Sequence, residues 1–340
     1  MNKIEFPRTG VDGEKYTKED IENWYIGKDN AGIVNPISSK IKSEMQSIHY
    51  RRRRKVDSLL REIENNVEQI LLSSPEDLLK WTERIDHDFP GVFSTTKKNK
   101  TQATNLGKKV YDAFRYDNYR KNKLIDLAKK LNVKCCPYCN MHYTLYAEKG
   151  KTRADELTKF QFDHFYAKSK YPMLSMSLYN LIPSCAVCNQ GKSDANLSLD
   201  YNPYYSNIYK QFSFMVHDPI GLFCGERIKD EIEIDIQQNG VNKNDLDDFI
   251  DTFHLKTLYQ RHGDIAQETF DKAYEKPYYQ QPSNFSWLSN SSPEYIQQLW
   301  MGVYPNEKDI EKRPMSKFIQ DLWRQASDIK SRIYIEDTNE

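Results

Sequence analysis

Two short stretches carry cysteine pairs at metal-ligand spacing: Cys136 and Cys139 in CCPYC, and Cys185 and Cys188 in SCAVC, with 45 residues between the pairs. Each C-x-x-C places two thiolates on one tight turn, and two such turns complete a tetrahedral four-sulfur site of the kind Zn2+ prefers. Cys135 adjoins Cys136 and offers an alternative C-x3-C. The Pro137-Tyr138 spacer favours Cys136 as the ligand, which leaves Cys135 a buried free thiol, and Cys224 reads as core. Between the two pairs stands Asp163-His164, followed by Asn180, by Asn189 directly after Cys188, and by Lys192. A histidine near neutral pKa is the natural base for taking a proton from water. An adjacent carboxylate suits a hard cation such as Mg2+, which neutralises charge on phosphoryl oxygens. An isolated Asp-His dipeptide is usually a surface pair; here the joint order of acid, histidine, asparagines and cysteines is what points to a site.

That order, Asp-His, an asparagine about sixteen residues on, then a C-x-x-C-N-x-x-K ending, resembles the HNH (His-Me finger) endonucleases. The runs CPYC, DHFYAKSKYP and SMSLYNLIPSCAVCNQGKS resemble in particular the PtuB-like HNH proteins of Septu-type bacterial anti-phage systems, over about Lys134 to Asp200. The resemblance implies a β-hairpin and one helix gripping a single catalytic divalent metal, Mg2+ or Mn2+, distinct from a structural zinc on Cys136, Cys139, Cys185 and Cys188. It implies His164 as general base, Asp163 and Asn189 as ligands of the catalytic metal, and Asn180 tying the loop and orienting the histidine. Lys192 matches the family lysine that contacts the scissile phosphate; a surface lysine is the alternative. It further implies phosphodiester cleavage leaving a 5′-phosphate and a 3′-hydroxyl, in a defence role beside an ATPase partner. One departure is Ala167, where many members carry proline.

The elements that position these residues read as a strand near His142 to Ala147, a charged loop at Glu148 to Thr158, and a second strand at Lys159 to Phe165 that ends in His164. Asn180 to Ser184 reads as the returning strand and Cys185 to Ser193 as a turn entering a helix, a β-β-α order. His142, close to the first knuckle, reads as a strand histidine packed near the site. Residues 1–37 read as an extended lead-in with a short helix near Lys18 to Tyr25. From Ser38 to Leu71 the apolar positions keep helical spacing over one long helix, and Ser74 to Leu78 looks like a stop followed by a new N-cap. Beyond Asp194 the pattern predicts strands at Phe212 to Val216 and Glu231 to Ile236, an Asn239-Gly240 turn, a helix capped by Asn244, and a last helix over Ser316 to Tyr334. The expected fold is mainly α, with an embedded ββα-metal (HNH) unit closed by a four-cysteine zinc site and helical N- and C-terminal parts. Its divisions are the lead-in 1–37, a helical region 38–134 ending in a basic segment, the nuclease core 135–200, and a mostly helical region 201–340.

Charge is segregated along the chain although 49 basic and 49 acidic residues cancel. Ser94 to Lys134 holds twelve Lys or Arg against three Asp, while Glu226 to Asp251 holds nine acids against three bases. Within the basic segment Tyr111, Phe114, Tyr116 and Tyr119 interleave with Lys108, Lys109, Arg115, Arg120 and Lys121, a pattern that serves nucleic-acid contact and equally an amphipathic helix. The run Arg51 to Lys55 reads as a solvated helix face, because consecutive helical residues point all round the axis. Mean hydropathy is −0.81, and no apolar run approaches a membrane span. The start MNKIEFPRTG lacks a secretory pattern, so the expectation is a cytoplasmic protein with reduced thiols and no membrane association. The expected partner is nucleic acid, DNA ahead of structured RNA. A non-catalytic zinc-ribbon binding module is the reading from a different class.

Overall fold

The computed structural model describes residues 3–27, 32–47, 54–97, 100–148, 156–158, 160–223, 232–240, 242–275 and 290–337. They are mostly helical, with five two-stranded antiparallel sheets among the described residues. No described helix is long and apolar enough to cross a membrane. The chain divides into two compact units: Ile4–Val133 with Thr144–Ser206, and Lys134–Tyr143 with the chain from Asn207 on.

In the first of these, the N-terminal residues are packed instead of forming an extended lead-in. Arg8–Thr9 pairs with Lys15–Tyr16, and a capping box between Thr17 and Asp20 starts the helix Lys18–Ile26. Ile21 and Tyr25, four apart on one face, are fully buried, and the Tyr25 hydroxyl donates to the carbonyl of Met176 at 2.8 Å. The expected long helix from Ser38 is several: Val34–Ser47, Arg54–Asn65 and Val67–Leu71, then Pro75–Asp88. Asn66, with ψ at 24°, leaves helical geometry, and its side-chain amide donates to the Glu62 carbonyl. Ser74 caps the next helix by accepting from the Asp77 amide, with Pro75 in the first turn. Leu59, Leu60, Ile63, Ile70 and Leu71 are buried as their spacing predicts. Arg54 and Lys55 are exposed, and the rest of that basic run lies outside the described residues.

The basic segment folds as a hairpin, Ser94–Lys97 against Lys100–Ala103, then the helices Asn105–Phe114, Tyr116–Tyr119 and Lys123–Leu131. Arg115, in the left-handed region at φ 57°, turns the chain between the first two helices. Gly107 lets the Asn105–Phe114 helix approach Phe93 closely: a Cβ there would lie 2.1 Å from the Phe93 carbonyl oxygen. Tyr146–Glu148 pairs with Glu156–Thr158, while Gln161–His164 pairs with Leu181–Ser184 and is followed by the helix Ala186–Lys192. The strand expected from Lys159 to Phe165 is therefore shorter, Lys159 itself lying outside the described residues. Asn180 closes a 3-10 turn, Leu178–Asn180, instead of opening the returning strand.

In the second unit, Phe212–Val216 pairs with Ile234–Gln238, and the helices Lys243–Thr252, Leu255–Tyr259, Gly263–Tyr274, Pro293–Met301 and Ser316–Asp337 follow. Asn242, not Asn244, caps the first of these, accepting from the Asn244 amide. Phe212, Phe214, Phe249, Leu255 and Phe318 form its core. Lys317 is buried there on Asp321 at 2.8 Å and on the carbonyls of Tyr209 and Phe212, and Asp321 accepts from the Phe214 amide. The residues around the first cysteine pair are anchored in this core. Tyr138 stacks on Phe253 at 4.5 Å, and the Tyr259 hydroxyl donates to the Cys139 carbonyl at 2.6 Å. Asn140 donates to the Ile310 carbonyl and accepts from the Lys317 amide. Cys224 and Glu226 to Glu231 lie outside the described residues.

Candidate functional site

The sulfurs of Cys136, Cys139, Cys185 and Cys188 all lie within 4.8 Å of one another, and all four residues are buried. A zinc-sulfur bond of about 2.3 Å puts tetrahedral sulfurs about 3.8 Å apart, so this donor set fits a structural metal such as zinc. Each pair sits on a turn that aims a backbone N–H at a thiolate: Met141 at Cys139 and Cys188 at Cys185, both at 3.4 Å. Such donors orient the sulfurs and disperse their charge. His142 belongs to this knuckle, with Nδ1 3.7 Å from the Cys139 sulfur. Cys135 lies outside the cluster; its thiol is buried, and desolvation pushes its pKa well up.

Three of the other sequence-predicted residues meet on a second feature, a cavity of about 1120 Å³, which Asn180 and Lys192 do not line. Asp163, His164 and Asn189 line it, together with Tyr116, Arg120, Lys121 and Lys168. Strand pairing of Asp163 with Ile182 and of His164 with Leu181 fixes the acid-histidine pair at the end of a short sheet. Both side chains are nearly buried, at 2% and 7% exposure. His164 Nε2 stands 3.0 Å from the Ser175 carbonyl oxygen, and its ring packs 4.6 Å from that of Tyr116. A carbonyl only accepts, so Nε2 carries the proton and Nδ1 keeps the lone pair. Burial, reinforced by the charges of Lys168 and Lys192, lowers the pKa of His164 to about 3, against the weaker opposing pull of the Ser175 carbonyl. The imidazole is thus neutral at neutral pH and able to accept a proton.

Asn180 is fully buried and spends its whole amide on the loop after His164: it accepts from the Tyr166 amide at 2.7 Å and donates to the carbonyls of Tyr166 and Leu174. Phe165 in turn donates to the Asn180 carbonyl. Asn189, half-buried on the Ala186–Lys192 helix, donates its Nδ2 to Gln161 Oε1 at 2.5 Å, which orients its Oδ1 as the remaining acceptor. Lys192 is not the surface lysine that stood as the alternative. It is 1% exposed, and its ammonium lies 3.3 Å from Asp163 Oδ2 and 2.8 Å from the His164 carbonyl oxygen. A buried carboxylate needs a counter-charge, and Lys192 supplies it to Asp163.

Gln161 and Lys168 were not singled out from the sequence. Gln161 carries no motif, because its partner Asn189 is 28 residues away. Lys168 lies in the run DHFYAKSKYP that carries the resemblance, directly after the departure at Ala167, but neither gave it a role. Tyr116, Arg120 and Lys121 come from the basic, aromatic segment, so that segment does reach the cavity that holds His164. The arrangement combines a neutral imidazole, two oxygen donors suited to a hard cation and a cationic wall, the components of water activation beside an anionic ester. Among known proteins, no protein-family model, no curated protein and no solved structure matches the chain.

Proposed function

We propose that this chain is a metal-dependent HNH endonuclease that hydrolyses phosphodiester bonds in DNA. The observation that carries the reading is the meeting of Asp163, His164 and Asn189 on one cavity walled by Arg120, Lys121 and Lys168. Phosphodiester hydrolysis requires a nucleophile made from water and positive charge where the phosphoryl oxygens gain negative charge. His164, held through Nε2 by Ser175 and packed on Tyr116, offers Nδ1 to take the proton from water. An anionic phosphate brought beside the ring raises its basicity from the depressed value. A divalent cation such as Mg2+ or Mn2+, when bound, supplies Lewis-acid stabilisation of the phosphoryl and leaving oxygens. The Asp163 carboxylate and the Asn189 amide oxygen are the hard donors that fit it, Asn189 having its nitrogen already committed to Gln161. Asn180 fixes the loop that follows His164, and the exposed Arg120 and Lys121 draw in the backbone. The PtuB-like resemblance extends the proposal to anti-phage defence beside an ATPase partner.

The test is cleavage by wild type and His164→Ala on plasmid DNA, single-stranded DNA and total RNA, with Mg2+ or Mn2+ added and zinc content measured in both. The expected result is DNA cleavage by wild type only, at equal zinc content. Cleavage of RNA alone would move the substrate and keep the site. Cleavage that survives in His164→Ala, or nucleic-acid binding with no cleavage even beside the ATPase, would overturn the nuclease reading, the latter in favour of a zinc-based binding module.

A further inference from the structure

A half-buried ammonium stands in the cavity wall without a carboxylate partner. Lys168 donates to the Tyr111 phenol oxygen at 3.1 Å and lies over the rings of Tyr111 and Tyr116, 5.0 and 4.7 Å from their centroids. Among the described residues no carboxylate comes within ion-pair distance of it. Lys192 and Lys317, which are fully buried, each close on an aspartate, Asp163 and Asp321. Lys168 has instead a neutral phenol and two aromatic faces, and burial lowers its pKa against the pull of the more distant Asp117. An ammonium has three donors, and one is used here.

Its position is fixed from behind. Tyr111 donates its own hydroxyl to Asp117 Oδ2 at 3.0 Å, which turns the phenol lone pair toward Lys168. Tyr116 carries Lys168 at 4.7 Å and His164 at 4.6 Å, so the ammonium and the imidazole are held by the same ring. Both side chains line the same cavity. Lys192, to which the family resemblance gives the phosphate contact, has its charge on Asp163. The desolvated charge beside His164 that still lacks an anion is Lys168.

We infer that Lys168 is the residue that holds the scissile phosphodiester next to His164, with Tyr111 and Tyr116 as the residues that position it. The inference rests on the nuclease reading and assigns the phosphate contact within that site. Affinity for a labelled oligonucleotide, duplex or single-stranded, is measured without added divalent cation across a salt series, for wild type, Lys168→Met and Lys168→Arg. Loss of one phosphate contact lowers the slope of log K against log salt by about 0.9 on duplex or about 0.7 on a single strand, and Lys168→Arg retains the wild-type slope. Under Mg2+, kcat/KM of Lys168→Met falls about 100-fold, as for loss of one donor to a developing anion. Tyr111→Phe, which keeps the ring and removes the oxygen, gives an intermediate loss.

A Lys168→Met protein with unchanged salt slope and unchanged kcat/KM, while His164→Ala is inactive, would overturn this inference and leave the nuclease reading standing. A lowered unfolding midpoint with unchanged slope would overturn it too, making Lys168 a packing residue. A wild type that neither binds nor cuts would overturn both.

Discussion

Acidification from pH 7 to pH 5 is expected to destabilise wild type by about 2 kcal/mol more than a His164→Gln variant. His164 is buried, and its folded pKa of about 3 lies below the ordinary 6.5 that it regains on unfolding. A group with a depressed folded pKa adds stability that is whole above 6.5 and lost as pH falls toward the folded value, because the unfolded chain binds the proton and the folded one does not. Each pH unit is worth 1.36 kcal/mol, so the full gap corresponds to about 5 kcal/mol and the part lost by pH 5 to about 2 kcal/mol. Glutamine keeps a donor for the Ser175 carbonyl without a titrating ring. The assay is urea unfolding of both proteins at both pH values under saturating zinc, the acid sensitivity of the shared cysteine cluster cancelling in the comparison. Equal losses in the two proteins would refute the reasoning, since His164 would then take its proton as readily folded as unfolded. The same neutrality predicts that kcat/KM, which reports the free protein, shows no acid limb near 6.5 due to His164.

Lys192→Met is expected to destabilise by about 3–5 kcal/mol by leaving Asp163 buried without its counter-charge, and Asp163→Asn added to it restores most of the loss in thermal unfolding. Asn180→Ala removes three hydrogen bonds in a fully buried position, at about 1–3 kcal/mol for each polar group left without a partner. Asn180→Asp is expected to be at least as damaging, because a carboxylate oxygen then faces the carbonyls of Tyr166 and Leu174; equal stability of Asn180→Asp and wild type would contradict the geometry. Cys135→Ser retains the zinc content of wild type, whereas Cys136→Ser and Cys188→Ser lose zinc and unfold at lower temperature, measured by elemental analysis and calorimetry.

The parts legible in the sequence were those whose physics leaves a local period. Thiolates that share a metal must sit on one turn, so C-x-x-C named Cys136, Cys139, Cys185 and Cys188, and a helix must bury one face, so the spacing of Leu59, Leu60, Ile63 and Ile70 named a core. What stayed hidden depends on partners far along the chain. Lys192 meets Asp163 across 29 residues and Lys168 meets Tyr111 across 57, separations that carry no period. The resemblance therefore gave the ligand contact to Lys192 and assigned no role to Lys168, although Lys168 lies in the run DHFYAKSKYP. We infer the reverse assignment from charge. Asp163 lies in a strand with 2% exposure, and a carboxylate so placed needs a cation before any ligand arrives. Lys192 is that cation, which leaves Lys168, on its two tyrosines, as a desolvated positive charge on the cavity that no carboxylate among the described residues pairs.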